Sequence, residues 1–220
     1  EVLDIERTVD LGGSLHAKGV LILSSYLRAK FGRDRAIHFS ASIAMEQNYG
    51  GVEGDSATMA ELAALISAIT DLPIRQDVGI TGSMNQMGEI QPIGGVNVKI
   101  EGFFAACQLK GFTGTQGVII PQQNVRHLML RPEIVQAVEQ GLFTVHAVGH
   151  AEEALELLLG VPMGVANSKG KYPEKSVMGR VLAQLKQWHK IDKGDKPKKS
   201  KKSKKDKKTG DHKDGKDGDV

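Results

Sequence analysis

Apolar residues recur every three to four positions in several stretches of the chain, and this spacing predicts helices over residues 15–31, 56–70, 95–110, 132–140 and 151–159. Shorter apolar or alternating runs predict strands over residues 36–44, 78–81, 117–120 and 142–148, with a hairpin over 84–93 around Gly88. Because helices and strands alternate, we predict a mixed α/β (α+β) domain over residues 1–160. Residues 161–189 form a C-terminal extension in which positions 177–188 are compatible with one amphipathic helix.

Charge divides the chain at residue 190. Residues 190–220 contain 13 Lys and 7 Asp and carry a net charge of +6, whereas residues 1–189 carry −3. A segment with so few apolar residues cannot bury enough surface to offset its ordering entropy, so we predict that it is disordered and acts as a solubilising tail. A weak, salt-sensitive contact with nucleic acid is the alternative. No aromatic residue lies among the lysines, so base stacking is not supported.

The remaining composition points to a soluble cytoplasmic protein. Cys107 is the one cysteine, which excludes an internal disulfide and fits a reducing compartment. No apolar run reaches 18 residues and no signal peptide is present, so we expect no membrane partner. The chain begins with Glu1 rather than methionine, and we expect either processing or a piece of a longer protein.

Ser56 is the first candidate for chemistry. It follows Asp55 at the start of a predicted helix, where a serine or aspartate often serves only as an N-cap. Three nearby glycines (Gly50, Gly51 and Gly54) allow the backbone to approach a ligand closely. Unpaired N–H groups in the first turn of the helix could stabilise an oxyanion beside a reactive hydroxyl.

Lys99 is the second candidate, since its side chain leaves the predicted helix 95–110 on the apolar side. Such a lysine commonly extends to solvent or pairs with an acid. Alternatively, burial disfavours the ammonium form, and keeping a free lysine neutral at pH 7 otherwise costs about 4.6 kcal/mol. Thr81 could hold the amine in place. Glu53 and Asp55 would raise its pKa, so we expect them to point elsewhere or to reorganise when substrate binds.

The two candidates belong to a wider set of segments: His16-Ala17-Lys18-Gly19-Val20, Gly54-Asp55-Ser56-Ala57, Asp77-Val78-Gly79-Ile80-Thr81-Gly82, Gly88-Glu89-Ile90-Gln91-Pro92-Ile93-Gly94-Gly95 and Lys99. Through these segments the chain resembles the proteolytic domain of Lon proteases over about residues 11–160. This resemblance implies that Ser56 is the nucleophile, that Lys99 is its general base, and that Thr81 bonds near the lysine. Glu53 and Asp55 match acidic residues beside the serine in archaeal (B-type) Lon enzymes. The implied fold resembles domain 2 of ribosomal protein S5.

The resemblance also implies peptide-bond hydrolysis in a hexameric ring coupled to an ATPase module. This chain contains no Gly-x-x-x-x-Gly-Lys-Ser/Thr phosphate loop, so we expect no cofactor in it and ATP only on a module absent from it. The family's proteolytic domain usually has strands before the segment that corresponds to Leu11, and residue 1 falls within that region, so we expect a truncation at the N-terminus. Protein or peptide substrates and further copies of the chain are the expected partners.

Other chemistry is less well supported. There is no H-E-x-x-H motif and no Cys/His cluster, so no metal site is predicted. A Ser–His–Asp triad through His38 or His146 remains formally possible, although both positions suit ordinary strand residues. Cys107 fits the core. Two rival functions stay open: a non-catalytic assembly or nucleic-acid-contacting domain that uses the lysine-rich tail, and a small-molecule phosphotransferase with phosphate at Gly94-Gly95.

Overall fold

A computed structural model describes residues 2–32, 37 and 39–194 of the 220-residue chain. The helices and strands follow in this order: β1 (Val2–Asp4), α1 (Ile5–Thr8), α2 (Ser14–Phe31), β2 (Ala41–Ile43), α3 (Thr58–Thr70), β3 (Val78–Ile80), β4 (Ser83–Met84), β5 (Ile90–Gln91), α4 (Val96–Lys110), β6 (Gly117–Pro121), a 3₁₀ helix (Gln122–His127), α5 (Pro132–Glu139), β7 (Thr144–Val148), α6 (Ala151–Leu159) and α7 (Val177–Asp192). No helix in the described ranges has both the length and the hydropathy that a bilayer-spanning segment requires.

A parallel sheet with the order β3-β6-β7 organises the domain. The connection from β3 to β6 contains the β4–β5 hairpin and then α4, while the connection from β6 to β7 contains the 3₁₀ helix and α5. In such a crossover the helix returns antiparallel to the strands, so its N-terminus lies near the carboxyl end of the strand before it. This topology brings the first turns of α4 towards the residues that follow β3.

Helices cover the sheet on both faces, and β6 shows this most clearly because all five of its residues are buried. Ile119 belongs to a core formed with α2, α3, α6 and α7. Its neighbours Val118 and Ile120 belong to a second core formed with α4, α5 and Phe143. The alternation follows from the two-residue period of a strand, which sends successive side chains to opposite faces. The mixed α/β class predicted from the sequence is confirmed.

Helix α7 packs into the first core. Its residues Val177, Met178 and Val181 are buried there, and Trp188 lies with its ring centroid 5.6 Å from that of Phe39. Residues 177–192 thus form a helix of the domain. The boundary predicted at residue 190 is too early, because helical hydrogen bonding continues through Asp192. The lysine-rich residues 195–220 lie outside the described residues, so the tail predictions stay predictions.

Several predicted boundaries differ from the structure. The predicted strand at 36–44 is reduced to Ala41–Ile43, which pairs with the three-residue strand β1, and residues 33–36 and 38 lie outside the described ranges. Helix α3 begins at Thr58 instead of Ser56, and β3 ends one residue before Thr81. The sequence pattern missed β1 and α1, because elements of three or four residues are too short to show a periodic signal.

Candidate active site

Ser56 lies in the turn that leads into α3, two residues before the helix begins. Its carbonyl oxygen accepts hydrogen bonds from Gly82 N at 2.9 Å and from Thr81 Oγ1 at 3.5 Å. In return, Met59 N donates to the Gly82 carbonyl at 3.2 Å. These bonds attach the start of α3 to the segment after β3, so the position of the serine depends on both elements.

Lys99 reaches this turn from the first turns of α4. Its Nζ lies 2.8 Å from Ser56 Oγ and 3.2 Å from Thr81 Oγ1. The structure therefore brings together Lys99 and two other predicted site residues, Thr81 and Ser56, which are 18 and 43 positions from it along the chain. Thr81 holds its place because its own N–H donates to the Ile119 carbonyl of β6 at 3.1 Å.

Burial of the amine, the alternative that would favour its neutral form, is only partial in the described structure, where Lys99 is an exposed residue. The buried face of α4 is formed by Val96, Ile100, Phe104 and Cys107. Lys99 lies at the edge of that face instead of within it, and its side chain runs along the surface to Ser56. Even so, partial burial lowers the pKa of the Lys99 amine, while the negative charge of Asp55 acts in the opposite direction.

The two acidic residues before Ser56 occupy different places. Asp55 lies close enough to influence the lysine charge, and its carbonyl accepts from Thr58 N at 3.1 Å and Thr58 Oγ1 at 2.6 Å. Glu53 turns towards the N-terminus of α2, where its Oε1 accepts from Leu15 N at 3.3 Å. The same oxygen also accepts from Gly54 N, the next residue in its own loop, at 3.1 Å. Of the two carboxylates, it is Asp55 that faces the lysine.

Backbone N–H groups at this turn are available for a ligand. Within the described chain, the N–H groups of Ser56 and Ala57 donate to no other group. Gly54 adopts a φ of +86°, a conformation that favours glycine and lets the chain reverse just before the serine. Because α3 begins immediately afterwards, these N–H groups lie at the positive end of the helix dipole and suit a developing negative charge.

Gly19 is a site-supporting residue that the sequence analysis did not identify as such. A Cβ at this position of α2 would lie 2.6 Å from Thr58 Oγ1 and 3.3 Å from the Asp55 Cβ. Helix α2 therefore packs directly against the turn that carries Ser56. The sequence contained a signal, since Gly19 belongs to the His16–Val20 motif, but the pattern alone gave no partner for it.

We expect Gly19→Ala to reduce the reactivity of Ser56 towards an acylating probe by about 10- to 100-fold, because the methyl group would push the turn away from Lys99. Overpacking should also lower the free energy of unfolding by about 1–3 kcal/mol. Gly102→Ala on α4 is the matched control, since its Cβ would meet no atom within 4 Å. That variant should retain this reactivity and gain about 0.5–1 kcal/mol of stability. Kinetic assays and chemical denaturation measure both effects, and equal behaviour of the two variants would contradict the role given to Gly19.

The alternative nucleophile and base candidates lie elsewhere. His146 lies on β7, where burial and then the nearby Arg75 charge lower its pKa, and it makes no contact with Ser56 in the described structure. His38 lies outside the described residues. Cys107 is buried in the second core and its thiol pKa is raised by burial, so it belongs to the packing.

Known proteins resemble this chain over most of its described residues. The Lon protease (S16) C-terminal proteolytic domain family matches residues 5–161. A Lon protease homolog of Escherichia coli (strain K12) is 55% identical over 161 residues, which cover 73% of this chain and 28% of that protein. A Lon protease homolog of Haemophilus influenzae is 44% identical over 73% of this chain and 27% of that protein. An archaeal Lon protease of Pyrococcus abyssi is 32% identical over 72% of this chain and 16% of that protein.

The chain belongs to the Lon protease C-terminal proteolytic domain family, since the family match covers well over half of its residues. The match is centred on the domain that carries Ser56 and Lys99. The chain spans between about a sixth and little more than a quarter of the length of these relatives.

Proposed function

We propose that this chain is a serine endopeptidase that hydrolyses peptide bonds of protein substrates with Ser56 as nucleophile and Lys99 as general base. We further propose that it is the proteolytic part of an ATP-dependent Lon-like protease whose ATPase module is absent from this chain. The observation that carries the proposal is the 2.8 Å separation of Lys99 Nζ from Ser56 Oγ, beside a hydroxyl, Thr81 Oγ1, at 3.2 Å. Family membership supports the same chemistry.

The proposed reaction proceeds through an acyl-enzyme. Neutral Lys99 accepts the Ser56 proton as Oγ attacks the scissile carbonyl, and the electron pair of the carbonyl moves to its oxygen. The N–H groups of Ser56 and Ala57 stabilise that oxyanion. When the C–N bond breaks, the Lys99 ammonium donates its proton to the leaving amine. A water molecule then loses a proton to Lys99, attacks the ester and releases the acid, and the proton returns to Ser56.

Thr81 and Asp55 have supporting roles in this proposal. The Thr81 hydroxyl bonds to the amine and to the Ser56 carbonyl, so it keeps the lysine directed at the serine. Asp55 stabilises the ammonium that forms during the reaction, at the cost of a higher resting pKa. Glu53 supports the site indirectly by joining the Ser56 loop to the N-terminus of α2.

We propose that assembly of several copies of the chain excludes water from Ser56 and Lys99. Lys99 is exposed in one chain, and a hexameric ring of such domains would cover the dyad from a neighbouring copy. A cytoplasmic location is part of the same proposal. Activity should therefore rise with protein concentration together with the fraction of hexamer measured by analytical ultracentrifugation.

A peptide boronate tests the proposed nucleophile. We expect the full chain to form one covalent adduct, located at Ser56 by peptide mass spectrometry, because boron accepts the Oγ electron pair and mimics the tetrahedral intermediate. Ser56→Ala should abolish the adduct, whereas Ser67→Ala, on the following helix α3, should not change it. An adduct at another residue, or a fully active Ser56→Ala variant, would overturn the proposal. Salt-sensitive RNA binding without peptidase activity would favour the non-catalytic alternative.

The pH dependence of kcat/KM tests the base. Activity should rise with pH as Lys99 loses its proton, and because the pKa of the amine is lowered, the rise should begin below the range of a free lysine. Asp55→Asn removes the charge that raises this pKa, so the rising limb should move to lower pH. Glu53→Gln is the matched control, since Glu53 faces α2, and it should leave the limb in place. A shift to higher pH for Asp55→Asn would contradict the assignment.

A further inference from the structure

Four titratable side chains lie close together in the protein interior, beside helix α3. We call Asp4, Glu6, His16 and Glu61 the Asp4 cluster, which draws its members from the end of β1, from α1, from α2 and from α3. Their exposed fractions are only 6%, 5%, 2% and 5%. No part of the proposed peptidase mechanism uses them.

Each of these four side chains has at least one atom without a hydrogen-bond partner, and in Glu61 both carboxylate oxygens lack one. Asp4 Oδ1 accepts from Arg7 N at 3.3 Å, but its Oδ2 has no partner. Glu6 Oε1 accepts from Met45 N at 2.6 Å, but its Oε2 has none, and His16 Nε2 also has none. One nitrogen or oxygen from each of Asp4, Glu6 and His16 lies within 4.8 Å of the others. The backbone contacts fix both carboxylates while leaving one oxygen of each available.

Charge makes this arrangement costly without a cation. Within the described structure, His16 is the one basic group that pairs with Asp4 and Glu61, at 3.4 Å and 3.5 Å. Burial raises the pKa of the Glu61 carboxyl to about 7, yet a single imidazole still cannot balance both of the other carboxylates, Asp4 and Glu6. Buried charges are normally paired or bind a metal. A divalent cation would neutralise two of the charges and provide partners for the unpaired atoms.

We propose that Asp4, Glu6 and His16 Nε2 bind one divalent transition-metal ion, with Glu61 as a positioning residue for His16. The distances fit these separate roles. His16 Nε2 faces Asp4 Oδ1, whereas Nδ1 faces Glu61 Oε1 at 3.5 Å. A carboxylate that accepts the second N–H of a metal-bound histidine fixes the tautomer and the ring orientation.

The donor set indicates the kind of metal. One imidazole and two carboxylates suit Zn²⁺, Co²⁺ or Mn²⁺ better than Ca²⁺ or Mg²⁺, which prefer oxygen ligands alone. Donors around such an ion are bound at about 2.0–2.2 Å, so the three atoms would draw together by about 1 Å on binding. The sequence predicted no metal site because these ligands form no known spacing motif.

The metal would join the N-terminal strand to the helices that hold the active site. His16 lies on α2 one turn before Gly19, and Glu61 lies one turn into α3, which begins two residues after Ser56. Binding should therefore raise Tm of the chain, through contacts between β1, α1, α2 and α3. The proposal does not depend on peptidase activity, since its readouts are metal binding and stability.

Titration of the metal-free full chain with Co²⁺ tests the proposal. We expect one equivalent to bind with visible d–d absorption, Zn²⁺ to displace it, and Tm to rise with either ion. His16→Gln should weaken binding by at least about 10-fold, because the nitrogen ligand is lost. His127→Gln, on the exposed 3₁₀ helix, and His212→Gln, in the lysine-rich segment, should leave affinity unchanged.

Glu61→Gln distinguishes a positioning role from a purely structural one. It should weaken Co²⁺ binding by about 10- to 100-fold and shift the absorption bands, because the tautomer and basicity of His16 change. The proposal is overturned if the unmutated chain binds no Co²⁺ or Zn²⁺, or if His16→Gln binds as tightly as the unmutated chain. These measurements use the unmutated chain first, so a variant that fails to fold does not decide the result.

Discussion

Lys99→Met is expected to reduce kcat/KM for peptide cleavage by about 10²- to 10⁴-fold, the range typical of losing a general base. Methionine keeps an apolar stem of similar length but offers no amine to Ser56 Oγ, which lies 2.8 Å from Nζ in the native chain. The first contacts of α4 with the core come from Val96 and Ile100, so the fold should survive. Peptidase kinetics and thermal unfolding of the same sample measure the two effects.

The control for this variant is Lys110→Met, a second lysine at the exposed end of the same helix. The change in charge and side chain is the same, but Lys110 lies three turns along α4 from Lys99, so activity should remain within about two-fold of the unmutated chain. A Lys99→Met protein with more than a tenth of native activity would remove the lysine from the proposed mechanism. Loss of activity in both variants would point to an effect of net charge.

Val181→Asp is expected to lower the free energy of unfolding by about 4–5 kcal/mol. Val181 has no exposed surface and packs in the first core, where α7 lies against α3, so the variant would bury an unpaired carboxylate. The family match ends at residue 161, yet this helix completes the core after it. The prediction therefore tests whether residues 177–192 belong to the folding unit.

Ala183→Asp is the matched control because it adds the same charge on the exposed side of α7. It should cost no more than about 0.7 kcal/mol, the difference in helix propensity. Urea denaturation of the two variants gives the comparison directly. If Val181→Asp were as stable as Ala183→Asp, α7 would not be part of the cooperative core.

The helices and the central strands could be read from the sequence because their patterns are long or strongly apolar. The period of α6 predicts its bounds, Ala151–Leu159, without error, and the apolar run in β6 predicts a buried strand. The roles suggested for Ser56 and Lys99 came from the family resemblance, since neither position is unusual in composition. Resemblance could name the pair, but it could not supply a distance.

Some features depend on long-range contacts and could be known only from the folded chain. Periodicity placed Lys99 on the apolar side of its helix, whereas the structure places it at the exposed edge, because a neighbouring position in a helix differs by 100° and small errors in the predicted face matter. The sequence also could not predict which residue packs against Gly19 or where the Glu53 carboxylate points, since each contact involves a residue about 40 positions away.

The amino-acid order alone therefore determined the longer helices, the central strands and which side chains are available for chemistry, because local backbone preferences and apolar spacing act over a few residues. Tertiary packing decided which of those side chains meet. The 2.8 Å approach of Lys99 to Ser56, the docking of α7 and the burial of the Asp4 cluster all arise where distant segments share one core. Such contacts depend on the whole arrangement of helices around the sheet, which no local pattern contains.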